Sequence, residues 1–354
     1  MEALTLKRTP SILLLLITLV CFAPAARAQA ALSSLPEADA LIYISPQRIL
    51  NDALPKVMPA ADVTKMRAEF ADMKKSLGID PSSVEYLVIA IRFHKPAADL
   101  SFVAPDVMAV AGGDFSADSL LTLAQLSLQD KVRMEKHGSK SMALMTVDPI
   151  VAQAAKNPVF KPYTEVAAVA LSPNSIAIGN VRYLKSAIEA AEGGGPRVSV
   201  EAVQSLLRDP NVLMAATGAP LASFARSIGL FGTETTVREG RCDTSFGNFY
   251  AAVTMSGANY SVRGAMNADN PDTAKIITSL LSGLMTQGIS AVPDKQAQTI
   301  LQSIKMSAKE NEVAIEAAIP GQMIVDLFRS VPKPATEAKP VKKPTRVNRT
   351  KRRG

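Results

Sequence analysis

The stretch that decides the fold is Val84-Glu-Tyr-Leu-Val-Ile-Ala-Ile-Arg-Phe93, followed by Asp106-Val-Met-Ala-Val-Ala-Gly-Gly-Asp-Phe115 and Ser116-Ala-Asp-Ser-Leu-Leu-Thr-Leu-Ala-Gln-Leu126. In an extended chain successive side chains point to opposite sides. Leu87, Ile89, Ile91 and Phe93 therefore share one face, and Val84, Tyr86, Val88, Ala90 and Arg92 the other. A run apolar on nearly both faces, with Val, Ile and Tyr prominent, predicts a central strand. Gly112 and Gly113 weaken the end of the second strand and predict a bulge there. Ser116 predicts an N-cap, because its hydroxyl can accept from an orphan N–H of the first helical turn. The unit reads strand, strand, helix.

The same order recurs along the chain. Val132 to Lys136 and Lys140 to Thr146 predict a hairpin over His137-Gly138-Ser139, with a helix from 148 or 149 to Lys156. Glu165 to Leu171 and Ser175 to Gly179 predict a second hairpin, after which Asn180 caps a helix over 181–191. Phe246 to Ser256 and Asn259 to Ala268 form a third, followed by helices over 271–286 and 293–304. Lys305 to Lys309 and Glu312 to Ala318 form the last, with a closing helix over 321–331. Two strand-then-Pro starts, Ile44-Ser45-Pro46 and Thr217-Gly218-Ala219-Pro220, open the two series. Between the first start and the opening unit, Val63, Met66, Phe70, Met73 and Leu77 recur at helical spacing. They predict a core stripe that ends at Gly78.

The fold class is therefore α+β: tandem duplicated units of mostly antiparallel sheet with helices packed on one face. The boundaries are a signal peptide over 1–28, one domain over 29–197, its structural repeat over 198–332 and a disordered basic tail over 333–354. Lys7 and Arg8 precede an apolar run from Ile12 to Phe22, and Ala26-Arg27-Ala28 offers a small-x-small cleavage site. The run is shorter than the roughly 20 apolar residues of a spanning helix. These features predict export to the periplasm or beyond, with an uncleaved N-terminal anchor as the alternative.

The formal charge of +7 belongs to the tail. Lys333 onward carries nine basic residues against Glu337, whereas 29–332 holds 27 basic and 30 acidic residues. Within the tail Lys342, Lys343, Arg346, Arg349, Lys351, Arg352 and Arg353 form a polyanion-binding cluster. The partners such a cluster attracts are anionic envelope polymers, lipid headgroups or nucleic acid, all with steep salt dependence. Trp is absent and aromatics make up 5% of the chain, which counts against base-stacking by the folded body.

The chain has no Gly-x-Ser-x-Gly, no phosphate-cradling loop, no Gly-x-Gly-x-x-Gly and no His-Glu-x-x-His. No residue pattern calls for a cofactor or a metal. Once residues 1–28 are removed, Cys242 is the single cysteine, and His94 and His137 are the only histidines. Two weaker candidates stand beside the tail. The turn Gly112-Gly113-Asp114-Phe115-Ser116 reads as a capped helix start, or as bare N–H groups for an anion. Asp114 and Asp118 could also hold a cation by oxygen. The polar segment 229–247, with Arg238, Arg241 and Cys242, reads as a partner-contacting loop.

Leu35-Pro-Glu-Ala-Asp-Ala-Leu-Ile-Tyr-Ile44 resembles the mature start of a loose group of exported bacterial proteins built from ββα repeats. That resemblance implies the same layout and brings no activity, cofactor or site residues. The sequence thus points to a non-enzymatic binding or assembly protein of the cell envelope, with a tail that contacts polyanions. Its alternatives are a hydrolase or other enzyme with a site near Asp114 or the Cys242 loop, and a nucleic-acid binder acting through the tail.

Overall fold

Every strand in the sheet runs antiparallel to its neighbours. The computed structural model describes residues 23–78, 80–94, 104–128, 131–148, 150–151, 163–218, 249–292, 295–323 and 325. Among these, twelve strands make one continuous sheet. They are β1 (Ala40–Ile44), β2 (Val84–Arg92), β3 (Asp106–Gly113), β4 (Val132–His137), β5 (Lys140–Thr146), β6 (Glu165–Ser172), β7 (Ser175–Asn180), β8 (Val212–Gly218), β9 (Phe249–Ser256), β10 (Asn259–Asn267), β11 (Lys305–Lys309) and β12 (Glu312–Pro320).

The centre of the sheet is the β1–β8 pair, with Ile42 directly opposite Ala216. Outward from it run β1-β2-β3-β7-β6 on one side and β8-β9-β10-β12-β11 on the other; β5 and β4 extend the first side. The sequence offset that carries Ile42 to Ala216 also carries Ile44-Ser45-Pro46 to Gly218-Ala219-Pro220. Outward from this pair the strand order of the second side matches that of β1-β2-β3-β7-β6: first, second and third in chain order, then last, then next to last.

The helices are α1 (Ala23–Ser33), α2 (residues 46–57), α3 (Ala60–Leu77), α4 (Ala117–Leu128), α5 (Val181–Ala191), α6 (Val200–Leu206), α7 (Pro271–Ala291) and α8 (Lys295–Gln302). They were expected on one face and divide between two. On the front face α1, α5 and α6 cover Tyr43, Val88, Val110, Ala177, Val169, Leu144 and Ala215 in the largest core cluster. On the back, α4 covers Ala143 and Ala170, α2 packs on Leu213 and Tyr260, and α7 on Met266 and Val313. The reason lies in the strands: alternate residues are apolar on both sides, so one helical layer leaves the second row in water.

Several local expectations hold. The register of β2 against β3 slips between Val84 and Tyr86, opposite the two glycines. Gly78 closes α3 in the left-handed conformation, its N–H donating to Lys74 O at 2.9 Å. The core stripe of α3 is weaker than its spacing suggests. Val63 is buried, Met66 and Phe70 are half-buried and Met73 is exposed, because α3 leans on α2 and the short turn Pro81–Ser83 rather than on the sheet. Within α2 the residues Ile49–Ala53 form a π turn, with Leu54 N–H donating to Ile49 O. Pro55 has no N–H to give to Asn51, which leaves that wider turn open to form.

Helix α1 runs straight through the expected cleavage point after Ala28. Ala28, Leu32 and Leu35 are all buried in the front core, so the segment just beyond that point is tied to the body. The rest of the signal segment, residues 1–22, lies outside the described residues.

Candidate functional site

The end of β2 and the start of β3 meet at one rim of the sheet, where Arg92 lies opposite Asp106. Helix α5 starts at the same rim. Asn180 precedes it but does not cap it with its side chain. Its Oδ1 instead accepts from Val107 N at 2.6 Å, which ties the foot of α5 to β3. Arg182, the second residue of α5, is thereby set over Asp106. Its Nε donates to Asp106 Oδ2 at 3.0 Å and its Nη2 to Oδ1 at 2.9 Å, a forked pair of charge-assisted bonds. The Asp106 carboxylate is only 4% exposed, whereas the Arg182 side chain is 64% exposed.

His94 completes the cluster. Its Nε2 lies 2.7 Å from Asp106 Oδ2 and also 2.7 Å from Arg182 Nη2. One ring nitrogen cannot satisfy both contacts. A protonated Nε2 donates to the carboxylate and confronts the guanidinium N–H. A bare Nε2 accepts from Arg182 and turns a lone pair on the carboxylate. Beside this cluster Tyr163 donates to Pro105 O, and its phenol is pushed up by burial and by the Asp106 charge.

A polar band leads from the cluster to a cleft. Arg92 pairs with Glu37 at 3.3 Å, Tyr183 O–H donates to Glu37 O at 3.0 Å, and Asp39 Oδ2 accepts from Phe93 N at 2.7 Å. Burial drives the Tyr183 phenol far above its ordinary range. Glu37 and Asp39 then line a cleft of about 560 Å³ between α6 and the strands β8, β9 and β10, with Arg197, Arg208, Tyr250 and Asn267. Among the described residues Arg197 and Arg208 make no ion pair. Burial raises the Tyr250 phenol, with Asp209 adding to the rise and Arg208 and Arg263 opposing it. Gly218 and Phe249 pair with each other and both line this cleft.

The turn after β3 behaves as a capped helix start. Ser116 Oγ accepts from Ser119 N at 3.2 Å, as the sequence predicts. Some of the backbone donors expected to be bare are taken. Gly113 N donates to Asn174 O, Asp114 N to Ser83 O and Ala117 N to Pro173 O. Neighbouring strands and turns thus supply acceptors for Gly113, Asp114 and Ala117 of this turn. Asp114 nevertheless lines a second cavity of about 480 Å³ with Lys74, Asp80, Ser83 and Ser119. The Asp80 carboxyl is held below the usual range by the Ser82 hydroxyl and by Lys74, 3.1 Å away. Asp118 is exposed on the first turn of α4.

His137, at the end of β4, lies 3.1 Å from Glu189 of α5. Next to it Ser139 N donates to Glu192 at 2.7 Å, and Lys185 pairs with Glu135 at 2.7 Å. These contacts clip the outermost hairpin onto α5. Arg238, Arg241 and Cys242 lie outside the described residues, as do Lys342, Lys343, Arg346, Arg349, Lys351, Arg352 and Arg353. Sequence reasoning passed over Asp106, Arg182 and Tyr250. A charge opening an apolar strand, a charge in a first helical turn and one tyrosine are ordinary features, and only the rim brings the first two together.

No family model matches the chain, and no curated protein matches it in sequence. In fold it is similar to solved structures of TP0453. Crystal form III gives a TM-score of 0.42 at 9% identity, covering 85% of this chain and 98% of that one. Crystal form I gives 0.41 at 11%, covering 84% and 96%.

Proposed function

We propose that the chain is an exported, non-enzymatic binding protein of the cell envelope. Its body takes a partner in the cleft between α6 and β8–β10, and its basic tail holds it on a polyanionic surface. The observation that carries this reading is the cleft itself. It has the size of a ligand site, an aromatic floor in Tyr250, and two guanidinium groups without ion pairs among the described residues. The mildly acidic body and the strongly basic tail divide the two tasks by charge. Among the described residues no helix is long and apolar enough to cross a membrane.

Two measurements test the two halves of the reading. The full chain is retained on heparin with steep salt dependence, and a chain ending at residue 332 is not. Equal retention of both would remove the tail from the account. Arg208→Glu combined with Tyr250→Ala loses an envelope protein that the wild type recovers by cross-linking. Undiminished recovery would remove the cleft.

The cavity beside Asp114 favours a second reading, a hydrolase in which Asp80, Asp114 and Lys74 act together. Asp114→Ala then abolishes turnover of a responsive ester or phosphate in a substrate panel and leaves recovery of the cleft's partner intact. An active Asp114→Ala variant would rule this reading out.

A further inference from the structure

The two contacts of His94 Nε2 exclude each other, so the proton on that nitrogen selects which one survives. We propose that His94 is a proton-operated release for Arg182: taking up a proton withdraws the acceptor from Arg182 and loosens the guanidinium from the rim beside the cleft.

The argument starts from tautomers. Neutral imidazole can keep its proton on Nδ1, leaving Nε2 free to accept from Arg182 Nη2 at 2.7 Å. The imidazolium has no such option. Its Nε2–H can only donate to Asp106 Oδ2, and its positive charge then faces another across the same gap. Histidine is the side chain whose charge ordinarily changes between about pH 5 and 8, which sets the two pH values of the test. Arg182 can move, because its side chain is 64% exposed, whereas Asp106 at 4% cannot.

Among the described residues the groups that face His94 are Asp106 from β3 and Arg182 from α5, with Tyr163 close enough to feel the Asp106 charge. Arg92, two residues earlier, is engaged by Glu37. The other histidine meets the opposite end of the same helix with one partner and no conflict, His137 to Glu189.

The test reads Arg182 directly. Nitrogen-resolved hydrogen exchange of its Nη2 protons is measured in the full chain at pH 8 and pH 5.5, against the same protons in His94→Gln at each pH. The ratio removes the intrinsic pH dependence of exchange. The ratio is expected to rise about tenfold on acidification, the worth of roughly one lost hydrogen bond. A histidine that merely packs would leave it flat. Arg133 of the wild type serves as an internal reference if His94→Gln fails to fold. It is 63% exposed and held by Glu135 and Glu165. An Arg182-to-Arg133 ratio that is flat or falls between pH 8 and 5.5 would overturn the proposal.

Discussion

Cutting the Arg182–Asp106 pair from its two ends is expected to have unequal consequences. Arg182→Gln removes the cation and leaves a carboxylate that is 4% exposed, with His94 as its nearest polar neighbour. A desolvated charge that loses its partner is among the costlier defects a fold can hold, about 3 kcal/mol or more. Asp106→Asn removes the anion and leaves a guanidinium that is 64% exposed and reaches water by a small rotation. That side loses charge-assisted hydrogen bonds but strands nothing, so the loss is about 1.5 kcal/mol. Urea unfolding at pH 8, where histidine is ordinarily neutral, gives both values from one pair of curves. The double variant should fall near Asp106→Asn alone, because without the carboxylate the arginine has little left to contribute. An Asp106→Asn variant as unstable as Arg182→Gln, or more so, would refute the reasoning, since it would mean that burial of the carboxylate is not what sets the balance.

Three further outcomes follow from local geometry. Gly113→Ala places a Cβ about 2.0 Å from Ser83 O, a backbone atom with nowhere to go, and should lower stability by about 2 kcal/mol or more in the same assay. Asn270→Ala removes the acceptor for Thr273 N, 2.8 Å away at the start of α7, and should lower it by about 1 kcal/mol. The Glu192 carboxyl is held below its ordinary range by the Ser139 hydroxyl and N–H, so its folded value lies under its unfolded one. Its contribution is then full above the unfolded value and lost as pH falls through the folded value. Glu192→Gln should flatten that acid limb, visible as amide exchange of the β4–β5 turn that no longer quickens in acid relative to the rest of the sheet.

Much of this fold was legible because periodicity is a local property. Val84 to Phe93 is apolar on nearly both faces of a pleat, and β2 lies where that run places it. The helix caps at Ser116 and Gly78 were readable for the same reason: each depends on atoms within a few residues. The second layer of helices was not. That α4 lies behind β5 and β6 while α5 lies in front depends on which way each connection leaves the sheet, and no spacing within either helix records it. The candidate site was illegible for a related reason. His94, Asp106 and Arg182 are separated by 12 and 76 residues, and each taken alone is an ordinary surface charge. Asn180 shows the limit most clearly. Its position before a helix reads as a cap, but a strand running alongside supplies Val107 N, and the side chain turns to that donor.

The front faces of the two series of strands differ in polarity. In the first half the front face of β3, β7 and β6 presents Met108, Val110, Ala177 and Val169, and α5 covers it. The corresponding strands of the second half, β10, β12 and β11, present Arg263, Asn267, Glu312, Glu316, Lys305 and Lys309 on that face, as their registers with β9 and with one another require. Such a row cannot be buried under a helix without stranding charges, so it stays in contact with water. One half has thus become a platform sealed by α5, while its counterpart keeps an open polar face. The cleft lies where that face meets α6, with Tyr250 as its aromatic floor and Asn267 and Glu312 on its wall. A molecule selected only for stability gains nothing from leaving that face open. The proposed partner of the cleft would account for the asymmetry, with the Arg92–Glu37 pair at the edge of the open face.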